Sequence, residues 1–430
     1  MSLVTPKKGY KSVPWLFGKE IEIPDEWDFE TMEIITSQIT YGLTVRPKFV
    51  EKGIPLISAR EIRTGKINFL DAPKISKEDF SNLSNKCKGT NNDLFFSKTG
   101  TIGYVAKVET LEDFAISQNI ASLSPKSNKI ISEFFEWVLH SNYFRKSCFR
   151  TINTTTIMDL QLGELGKINV CVPPLPEQQK IATILSNVDN LIESTGKVIT
   201  HSKKVKTGLM QKLLTRGIGH VTFKKVPWLF GKEIEIPEEW EVKRLDDVAH
   251  IQRGKFSHRP RGDPNYFNGK YPYIQTGDIE KANGFITTHS QTLNEKGKAV
   301  SKLFTTGIIV ITIVGVNIGN TAITTYPIYF PDSIVGISSD SSNIQFLKIL
   351  LETKKEILKN TAINNARENL NLEILRNLKI IHPQLSEQQK IASILSNIDS
   401  KITSQEQYKE KLERLKKSLM QKLLTGEVRV

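Results

Sequence analysis

Three segments of this chain occur twice in the same order, and this duplication limits the possible folds more than any other feature. The first pair is identical letter for letter, and the second differs at only two positions. The period is about half of the 430-residue chain, far longer than the roughly 20–50 residues of solenoid repeats. The sequence therefore predicts two tandem copies of one large unit. The pairs are 13–24 with 226–237, 177–189 with 387–399, and 209–215 with 419–425.

Each copy ends in a helical pattern, over residues 176–214 and 386–424. Apolar residues recur there at spacings of three and four, and seven-residue steps such as Ile181 to Val188 indicate a coiled-coil seam. A globular part cannot cover so long an apolar stripe, so we predict that the two helices pair as an antiparallel coiled coil about a pseudo-two-fold axis. Four polar residues interrupt the seam: Thr195, Ser202, Lys401 and Gln405.

The rest of each copy contains short β-rich runs between Gly, Asn and Asp clusters, with one helix predicted at 132–147 and another at 344–359. The predicted fold class is therefore mixed α/β, with two α/β globular domains separated by two long helices. The predicted boundaries are 1–175 and 217–385 for the globular domains, and 176–216 and 386–430 for the long helices.

The charge balance favours a polyanionic partner. Lys and Arg number 59 against 46 Asp and Glu, which gives a net charge of +13 and a pI near 9.3. Nucleic acid is the first candidate for such a chain. The alternative is that the protein is simply rich in lysine and well solvated.

Cysteine usage and hydropathy indicate a reducing, non-membrane setting. The three cysteines, Cys87, Cys148 and Cys171, are far apart and form no CxxC pair, which argues against a disulfide framework or a cysteine-based zinc site. The longest apolar run, 308–316, is shorter than the ~20 residues of a membrane helix. No signal peptide is predicted behind the first lysines. We therefore expect a cytoplasmic protein without membrane contact.

The helical segments are nearly identical between the copies, whereas the globular domains align only loosely. This contrast predicts that the helices meet one kind of partner twice and that the globular domains meet two different ligands. For a basic protein, two unlike half-sites on a DNA duplex are the natural candidates. A recent duplication with drifting globular domains is an alternative explanation. A two-headed coiled-coil adaptor that binds only protein is another.

Two motifs support a family assignment. The first is Ile-Pro-Glu-Glu-Trp at 236–240, followed by Arg-Leu-Asp-Asp-Val at 244–248. The second is Pro-Leu-Pro-Glu-Gln-Gln-Lys-Ile at 174–181, which returns as Gln-Leu-Ser-Glu-Gln-Gln-Lys-Ile at 384–391. Together they closely resemble the specificity (S) subunit of type I restriction–modification systems, and the resemblance covers nearly the whole chain.

The resemblance implies two target-recognition domains, each of which reads one half of a bipartite sequence in double-stranded DNA. It also implies that the coiled coil sets the spacer and docks two methyltransferase subunits, through which restriction and translocase subunits join the complex. S-adenosylmethionine, ATP and Mg are then expected only in partner subunits, and this chain needs no cofactor. Polar stretches at 151–156 and 363–367 match a polar loop that the family often has.

The chain itself is predicted not to be an enzyme. It has no Gly-rich cofactor loop, no polar-Pro-Pro-aromatic motif for a flipped base, no GxxxxGK[ST] and no HExxH. One nuclease-like match exists, in which Asp332, Glu352 and Lys354 could hold Mg²⁺. We interpret it as chance, because Glu352 and Lys354 lie in a charged helical stretch. No metal site is predicted.

Candidate DNA contacts lie on basic loops punctuated by Gly or Pro, since phosphates need Lys or Arg and base edges need bidentate Arg, Asn or Gln. Such loops are also often ordinary solvated surface, and His258 could be an ordinary loop histidine. The candidates are Arg46, Lys48, Arg60, Arg63 and Lys98 in the first domain, and Arg253, Lys255, His258, Arg259, Arg261 and Gln275 in the second.

Candidate partner contacts lie in the first turn of each long helix, where the same four residues occur in both copies. Helix capping is the competing explanation, because an early glutamate stabilises the N-terminal end of a helix dipole. The candidates are Glu177, Gln178, Gln179 and Lys180 in the first helix, and Glu387, Gln388, Gln389 and Lys390 in the second.

Overall fold

The computed structural model describes residues 7–151, 158–228, 231–363 and 370–430. The polar stretches at 151–156 and 363–367 fall almost entirely outside these residues. The chain divides into two compact units, one formed by residues 1–197 with 406–430 and the other by residues 198–405. Each unit therefore combines one globular domain with the first part of one long helix and the last part of the other.

The first globular domain is built from short elements that precede the first long helix. In chain order they are β1 (Tyr10–Pro14), β2 (Glu20–Pro24), β3 (Asp28–Thr31), α1 (Met32–Ile35), β4 (Thr36–Tyr41), β5 (Ile54–Ile57), β6 (Lys74–Ile75), α2 (Lys77–Ser81), β7 (Leu94–Ser97), β8 (Val105–Lys107), β9 (Ala115–Ile116), β10 (Ile120–Pro125), α3 (Ser132–His140), α4 (Asn142–Thr151), α5 (Leu162–Gly166) and β11 (Asn169–Val172).

Two sheets organise this domain. One has the strand order β4-β10-β7-β8, and the other has the order β6-β5-β9. The strands of the first sheet are apolar on nearly every residue in their centre, as in β7 and β10, because α3 and α4 cover one face and the second sheet lies beside them. The duplicated segment at its start folds as the β1–β2 hairpin, and β11 pairs with β3.

The first long helix, α6 (Leu175–Arg216), leads into the second domain. The elements that follow are β12 (Phe223–Pro227), β13 (Glu233–Pro237), β14 (Glu241–Arg244), α7 (Leu245–Val248), β15 (His250–Arg253), β16 (Phe267–Tyr273), α8 (Thr276–Lys281), β17 (Phe285–Ile286), β18 (Gln291–Leu293), α9 (Glu295–Ala299), β19 (Leu303–Phe304), β20 (Ile309–Thr312), β21 (Thr321–Thr324), β22 (Ile328–Tyr329), β23 (Ile334–Ser338), α10 (Ile344–Thr353), α11 (Lys355–Ile363), α12 (Leu372–Arg376), β24 (Lys379–His382) and the second long helix, α13 (Leu385–Leu423).

The second domain repeats the topology of the first despite its divergent sequence. Its main sheet has the order β15-β23-β20-β21-β17, which matches β4-β10-β7-β8 with one strand added at the edge. Its other sheet, β18-β16-β22-β19, matches β6-β5-β9 in the same way. The identical hairpin segment again pairs two strands, β12 and β13, in the register of the first copy. The mixed α/β prediction is confirmed.

Within each unit the start of one long helix packs against the end of the other. In the first unit Ile181 and Leu185 share a core with Leu423, and in the second Leu213 shares one with Ile391. The same pairing appears in the ion pairs Asp189–Lys416 (2.5 Å) and Lys206–Asp399 (2.6 Å). A start that meets an end can only be antiparallel, so the coiled-coil prediction is confirmed.

The seam of the first helix follows the predicted heptads through its polar middle. Buried or half-buried positions alternate at steps of four and three, and Thr195 is one of them at 6% exposure. The Thr195 hydroxyl donates to Leu191 O at 2.6 Å, which satisfies it inside the seam. Of the polar residues predicted to interrupt the seam, Ser202 and Gln405 also lie at half-buried positions, whereas Lys401 is exposed.

In each globular domain, one helix that the sequence predicts as continuous is divided into two helices in the structure. The predicted helix at 132–147 is two helices, α3 and α4, because Ser141 adopts an extended conformation and its Oγ accepts from Phe144 N at 3.1 Å, beginning the second helix. The predicted helix at 344–359 is likewise divided into α10 and α11 at Lys354.

Among the described helices, none combines the length and the apolar composition that crossing a membrane requires.

Candidate nucleic-acid interface

Four loops of the first domain meet at one edge, at the ends of neighbouring strands. The loop after β9 donates from Gln118 N to Leu43 O (2.9 Å), in the loop after β4, and from Ser117 N to Ile57 O (2.9 Å), at the end of β5. The loop after β7 joins them, because the backbone N–H of Lys98 donates to the loop after β9 at 3.0 Å. The separately predicted basic loops are therefore hydrogen-bonded into one surface.

Four of the predicted cations are exposed on this surface. Arg46 and Lys48 lie on the loop after β4, and Arg60 and Arg63 lie on the loop after β5. The Arg46 guanidinium lies 5.6 Å from the ring of Phe49. Their exposure leaves these charges available for phosphate groups.

Lys98 is placed differently from the other predicted cations. It is only 8% exposed, and its Nζ lies 2.6 Å from Oδ1 of Asp159. Burial would raise the pKa of Asp159, but hydrogen bonds from Lys98 and Thr99 outweigh it and lower this pKa below its usual value. Because its charge is already neutralised within the domain, the structure does not favour the predicted phosphate contact by Lys98.

The second domain assembles its loops in the same way. Lys255 N donates to Phe330 O at 3.0 Å, which joins the loop after β15 to the loop after β22. The N–H groups of Ile274 and Ile313, which follow β16 and β20, donate at 3.0 Å to Tyr329 O at the end of β22 and to Ser333 O in the loop after it. The equivalent loops of the two domains thus form equivalent edges.

Glycine at one equivalent position permits this close approach in both domains. A Cβ atom on Gly42 would collide with the carbonyl oxygen of Ile116, and one on Gly254 would collide with that of Pro331. The first loop therefore crosses directly against the end of β9 in the first domain and against the loop before β23 in the second.

The arginines of the second domain converge on Asp332. Arg253 Nε donates to the backbone oxygen of Asp332 at 2.5 Å, Arg259 Nη2 lies 3.3 Å from Oδ2, and Arg261 Nη2 lies 2.5 Å from Oδ1. The Arg259 and Arg261 side chains remain about half exposed, at 52% and 51%. One carboxylate thus holds a cluster that is still positively charged.

The nuclease-like triplet of the sequence is not one site. Asp332 contacts the arginines, Glu352 pairs with Lys348 at 2.7 Å, and the Lys354 ammonium lies 4.4 Å from the Trp228 ring. Burial lowers the pKa of Lys354. Each member therefore has its own separate partner in the fold. Among the described residues, no group of three or more His, Cys, Asp or Glu side chains could hold a metal ion.

The other three predicted residues of this domain differ in accessibility. Lys255 is exposed. His258 is half-buried, lies 3.0 Å from Oδ2 of Asp263 and stacks on Tyr266 at 4.0 Å between ring centroids, which favours its interpretation as a loop histidine. The Gln275 amide nitrogen donates to Gln291 at 3.0 Å, so it is already paired within the domain.

The glutamate that begins the repeated helix motif is part of a buried clasp in the first unit. Glu177, 6% exposed, accepts a hydrogen bond from Nε1 of Trp27 through Oε2 (3.0 Å). Arg429, beyond the end of α13, donates to both oxygens of the same carboxylate from Nε (2.6 Å) and Nη2 (2.9 Å). These hydrogen bonds raise the pKa of Arg429 above its usual value.

The second unit builds the same clasp with a histidine in place of the arginine. Glu387 accepts from Nε1 of Trp240 at 2.9 Å and from the backbone N–H of Ile218 at 2.9 Å. His220, just beyond the end of α6, contacts the carboxylate through Nε2 at 3.0 Å. In both units, then, a helix start, a domain start and the segment after the other helix meet at one glutamate.

The next residue of the motif is a buried connector. Gln178 accepts from Ile131 N (2.9 Å) and donates to Pro173 O (2.8 Å); Gln388 accepts from Asn343 N (2.9 Å) and donates to Pro383 O (2.8 Å). Both glutamines have 0% exposure.

These contacts correct part of the predicted partner surface. Four of its side chains bind the fold internally and are not presented to a partner: Glu177, Gln178, Glu387 and Gln388. The other four are exposed, so for them partner docking stays a prediction: Gln179, Lys180, Gln389 and Lys390.

A second apolar stripe runs along the outside of the long helices. On α6, Leu191, Val198 and Val205 follow one another at seven-residue steps and are 41–46% exposed. On α13, Tyr408 and Leu415 are spaced in the same way and exposed at 45% and 46%. Seven-residue steps keep apolar side chains on one side of a helix, which is what a further helix requires for packing.

Two α/β domains with loop-built basic edges, attached to antiparallel paired helices, define a class of two-domain DNA-recognition proteins. The family description that matches this chain is the type I restriction modification DNA specificity domain, over residues 31–201 and again over 237–414. The chain belongs to this family of specificity subunits, and its function is recognition of a DNA target. The adaptor alternative has no support.

Individual relatives agree with this assignment. The type I restriction enzyme MjaVIII specificity subunit of Methanocaldococcus jannaschii is 31% identical over 333 residues, which cover 73% of this chain and 74% of the relative. The fold is also similar to the type I S subunit from M. genitalium, with a TM-score of 0.58, 15% identity and 93% and 96% of the two chains covered. A chain from a structure of type I R-M complex assembly gives a TM-score of 0.55, with 17% identity and coverage of 95% and 100%.

Proposed function

We propose that the two globular domains read the two unlike halves of a bipartite DNA target, while the paired helices set the spacer between them. The observation that carries this proposal is the pair of equivalent loop edges with different side chains. Four exposed cations occupy the edge of the first domain, and an arginine cluster on Asp332 occupies the edge of the second. Equal frameworks with unequal contact groups suit two half-sites of different sequence.

The chain acts in this proposal without chemistry of its own. Methylation with S-adenosylmethionine belongs to two methyltransferase subunits, and cleavage with ATP and Mg belongs to restriction and translocase subunits. The separate partners of Asp332, Glu352 and Lys354 support this division, because these residues do not converge on one cation. A complex that modifies and protects genomic DNA would operate in the cytoplasm.

The methyltransferase subunits dock on the long helices in this proposal. Two exposed features support it: the polar first-turn pairs, Gln179 with Lys180 and Gln389 with Lys390, and the outer apolar stripe. Both features occur on α6 and on α13, so each helix offers a similar surface to one copy of the same partner. Two copies of one subunit fit a duplicated surface.

The proposal is tested by mapping methylated positions in DNA that has been exposed to the reconstituted methyltransferase complex. Complexes with this chain should methylate one motif, made of two short specified blocks separated by a gap of fixed length. A matched complex without this chain serves as the control. Methylation without sequence preference, or within one continuous block, would contradict the proposal.

A further inference from the structure

The acceptor atoms of Asp332 are all directed at arginines. Oδ1 is 2.5 Å from Arg261, Oδ2 is 3.3 Å from Arg259, and the backbone oxygen is 2.5 Å from Nε of Arg253. A carboxylate on a DNA-reading loop can itself accept a hydrogen bond from cytosine. In Asp332 both oxygens are already engaged, so its structural contacts point to orienting the arginines instead.

The three arginines differ in how many of their N–H donors are already hydrogen-bonded within the protein. Arg259 is tied down further, because its Nη1 donates to Phe256 O at 2.6 Å and to His258 O at 2.8 Å. Arg253 is hydrogen-bonded only through Nε and Arg261 only through Nη2, and among the described residues none forms a hydrogen bond with their remaining N–H groups. Two adjacent N–H donors of an arginine match the O6 and N7 acceptors of guanine in the major groove. Arg253 and Arg261 therefore each retain open N–H donors beside the contact that holds them, and of the two only Arg261 is held by the Asp332 side chain.

The first domain has no such carboxylate at the equivalent place. Counting back two residues from the start of β23 gives Asp332, and counting back two from β10 gives Gln118. Gln118 is an exposed, uncharged side chain. The alignment of arginines by an acid is therefore a property of the second domain, so it bears on the half-site of that domain.

We propose that Asp332 is a positioning residue whose carboxylate aligns Arg261, beside Arg253 on the backbone oxygen of the same residue, to read guanine in the half-site of the second domain. This inference rests on the proposed function. According to this inference, the second domain requires guanine in its half-site because of Asp332, although Asp332 itself does not contact the base. Net charge alone would favour removing the acid, because an uncompensated arginine cluster attracts phosphates more strongly. In this proposal Asp332 therefore contributes to selection among sequences and lowers the affinity for DNA in general.

The test is a selection of bound duplexes from a randomised pool by the full chain in complex with its methyltransferase subunits. The wild-type complex should select two blocks, one of which requires guanine. Asp332→Ala removes the carboxylate from Arg261 but leaves the backbone oxygen that holds Arg253, and it should reduce the guanine preference by about ten-fold, the scale of one bidentate contact. It should leave the other block unchanged, and the affinity for a duplex without the target should stay equal or rise.

Two further variants make the result decisive. Arg261→Lys retains the charge but loses the fork, so it should remove the same guanine preference and retain non-specific affinity. Asp340→Ala makes the same charge change in the same domain, at a side chain that is 95% exposed and outside the arginine cluster, and should alter nothing. A retained guanine preference in Asp332→Ala or Arg261→Lys would overturn the inference, as would an equal loss in Asp340→Ala. A wild-type complex that selects no sequence would instead refute the proposed function itself.

Discussion

The indole nitrogen of Trp27 donates a hydrogen bond to the buried carboxylate of Glu177 at 3.0 Å, across 150 residues of chain. The second unit repeats the relationship between Trp240 and Glu387 at 2.9 Å. Tryptophan and glutamate belong to the two sequence motifs that identify the family, and the structure shows that each motif is one half of a contact. The motifs are therefore retained in both copies for a structural reason, in addition to any role in docking.

Removing the glutamate of the clasp should destabilise its unit. Glu177→Ala leaves the buried Trp27 N–H without an acceptor and Arg429 without its main partner, and an unsatisfied buried donor costs about 1–3 kcal/mol. We expect a lower midpoint in denaturant unfolding, with Glu177→Gln less affected because an amide oxygen can still accept. Gln179→Ala, at the exposed neighbouring residue, is the control. Equal midpoints for Glu177→Ala and Gln179→Ala would contradict the clasp.

Substitutions at neighbouring residues of the helix motif should affect either the stability of the fold or methyltransferase docking, but not both. Gln178→Ala removes buried hydrogen bonds to three backbone groups, so it should lower the unfolding midpoint. The double variant Gln179→Ala with Lys180→Ala changes only exposed side chains, so it should weaken methyltransferase association without changing that midpoint. Association is measured by titration with the partner subunit. If the double variant binds the methyltransferase as the wild type does, the first turn is not part of the docking surface.

A charged residue in the outer apolar stripe should weaken association with the methyltransferase. Leu191→Glu places a carboxylate among exposed apolar side chains, so a helix packed there would have to desolvate it, and association with the methyltransferase should weaken by ten-fold or more, about 1.4 kcal/mol. The matched control is Asn190→Glu, at an exposed residue one position away on a different side of the helix. The same weakening by both variants would indicate a general charge effect and would remove the stripe from the proposal.

Glu136 on helix α3 should make the stability of the folded protein depend on pH. Burial, together with the charges of Glu109, Glu133 and Asp189, raises the pKa of Glu136 to about 7 against the opposing effect of Lys107. Its pKa is higher in the folded state than in the unfolded state, where it is near 4.5. The stability it contributes is therefore complete below pH 4.5 and is lost as the pH rises through 7. The gain in Tm from Glu136→Gln should grow between pH 5 and pH 8, followed by calorimetry.

Glu133 on the same helix is the matched control for this pH profile. Burial would raise its pKa, but the hydrogen bond from Lys107 at 2.6 Å outweighs burial and lowers it. Glu133→Gln should therefore be more harmful at neutral than at acidic pH, with the opposite slope. Burial also lowers the pKa of His140 to about 4, but both variants retain His140, so it cancels in the comparison. If the change in Tm varied with pH in the same direction for both variants, this account of Glu136 would be excluded.

The regular features of the fold could be predicted from the sequence because they depend on local periodicity. The heptads gave both long helices and the antiparallel seam, including Thr195 and Ser202 inside it. The breaks at Ser141 and Lys354 could not be predicted, because the apolar spacing continues across them and tertiary contacts decide where each helix ends.

The site was predictable only in part, since basic loops are visible in the sequence but their partners are not. Asp332 is 79 residues from Arg253, and Glu177 is 252 residues from Arg429. Contacts at such separations leave no local pattern. Lys98 has the same sequence signature as Arg46, and only the position of Asp159 in the fold shows that its charge is already paired. The composition of a loop therefore identifies candidates, and the fold selects among them.

The central claim is that each globular domain contacts DNA separately, and a hydroxyl-radical footprint of the full chain with its methyltransferase on a selected duplex tests it most directly. The account predicts two protected blocks, of which Arg253→Lys weakens one and the double variant Arg46→Ala with Lys48→Ala weakens the other. A single protected block, or two blocks that both weaken with either variant, would contradict it.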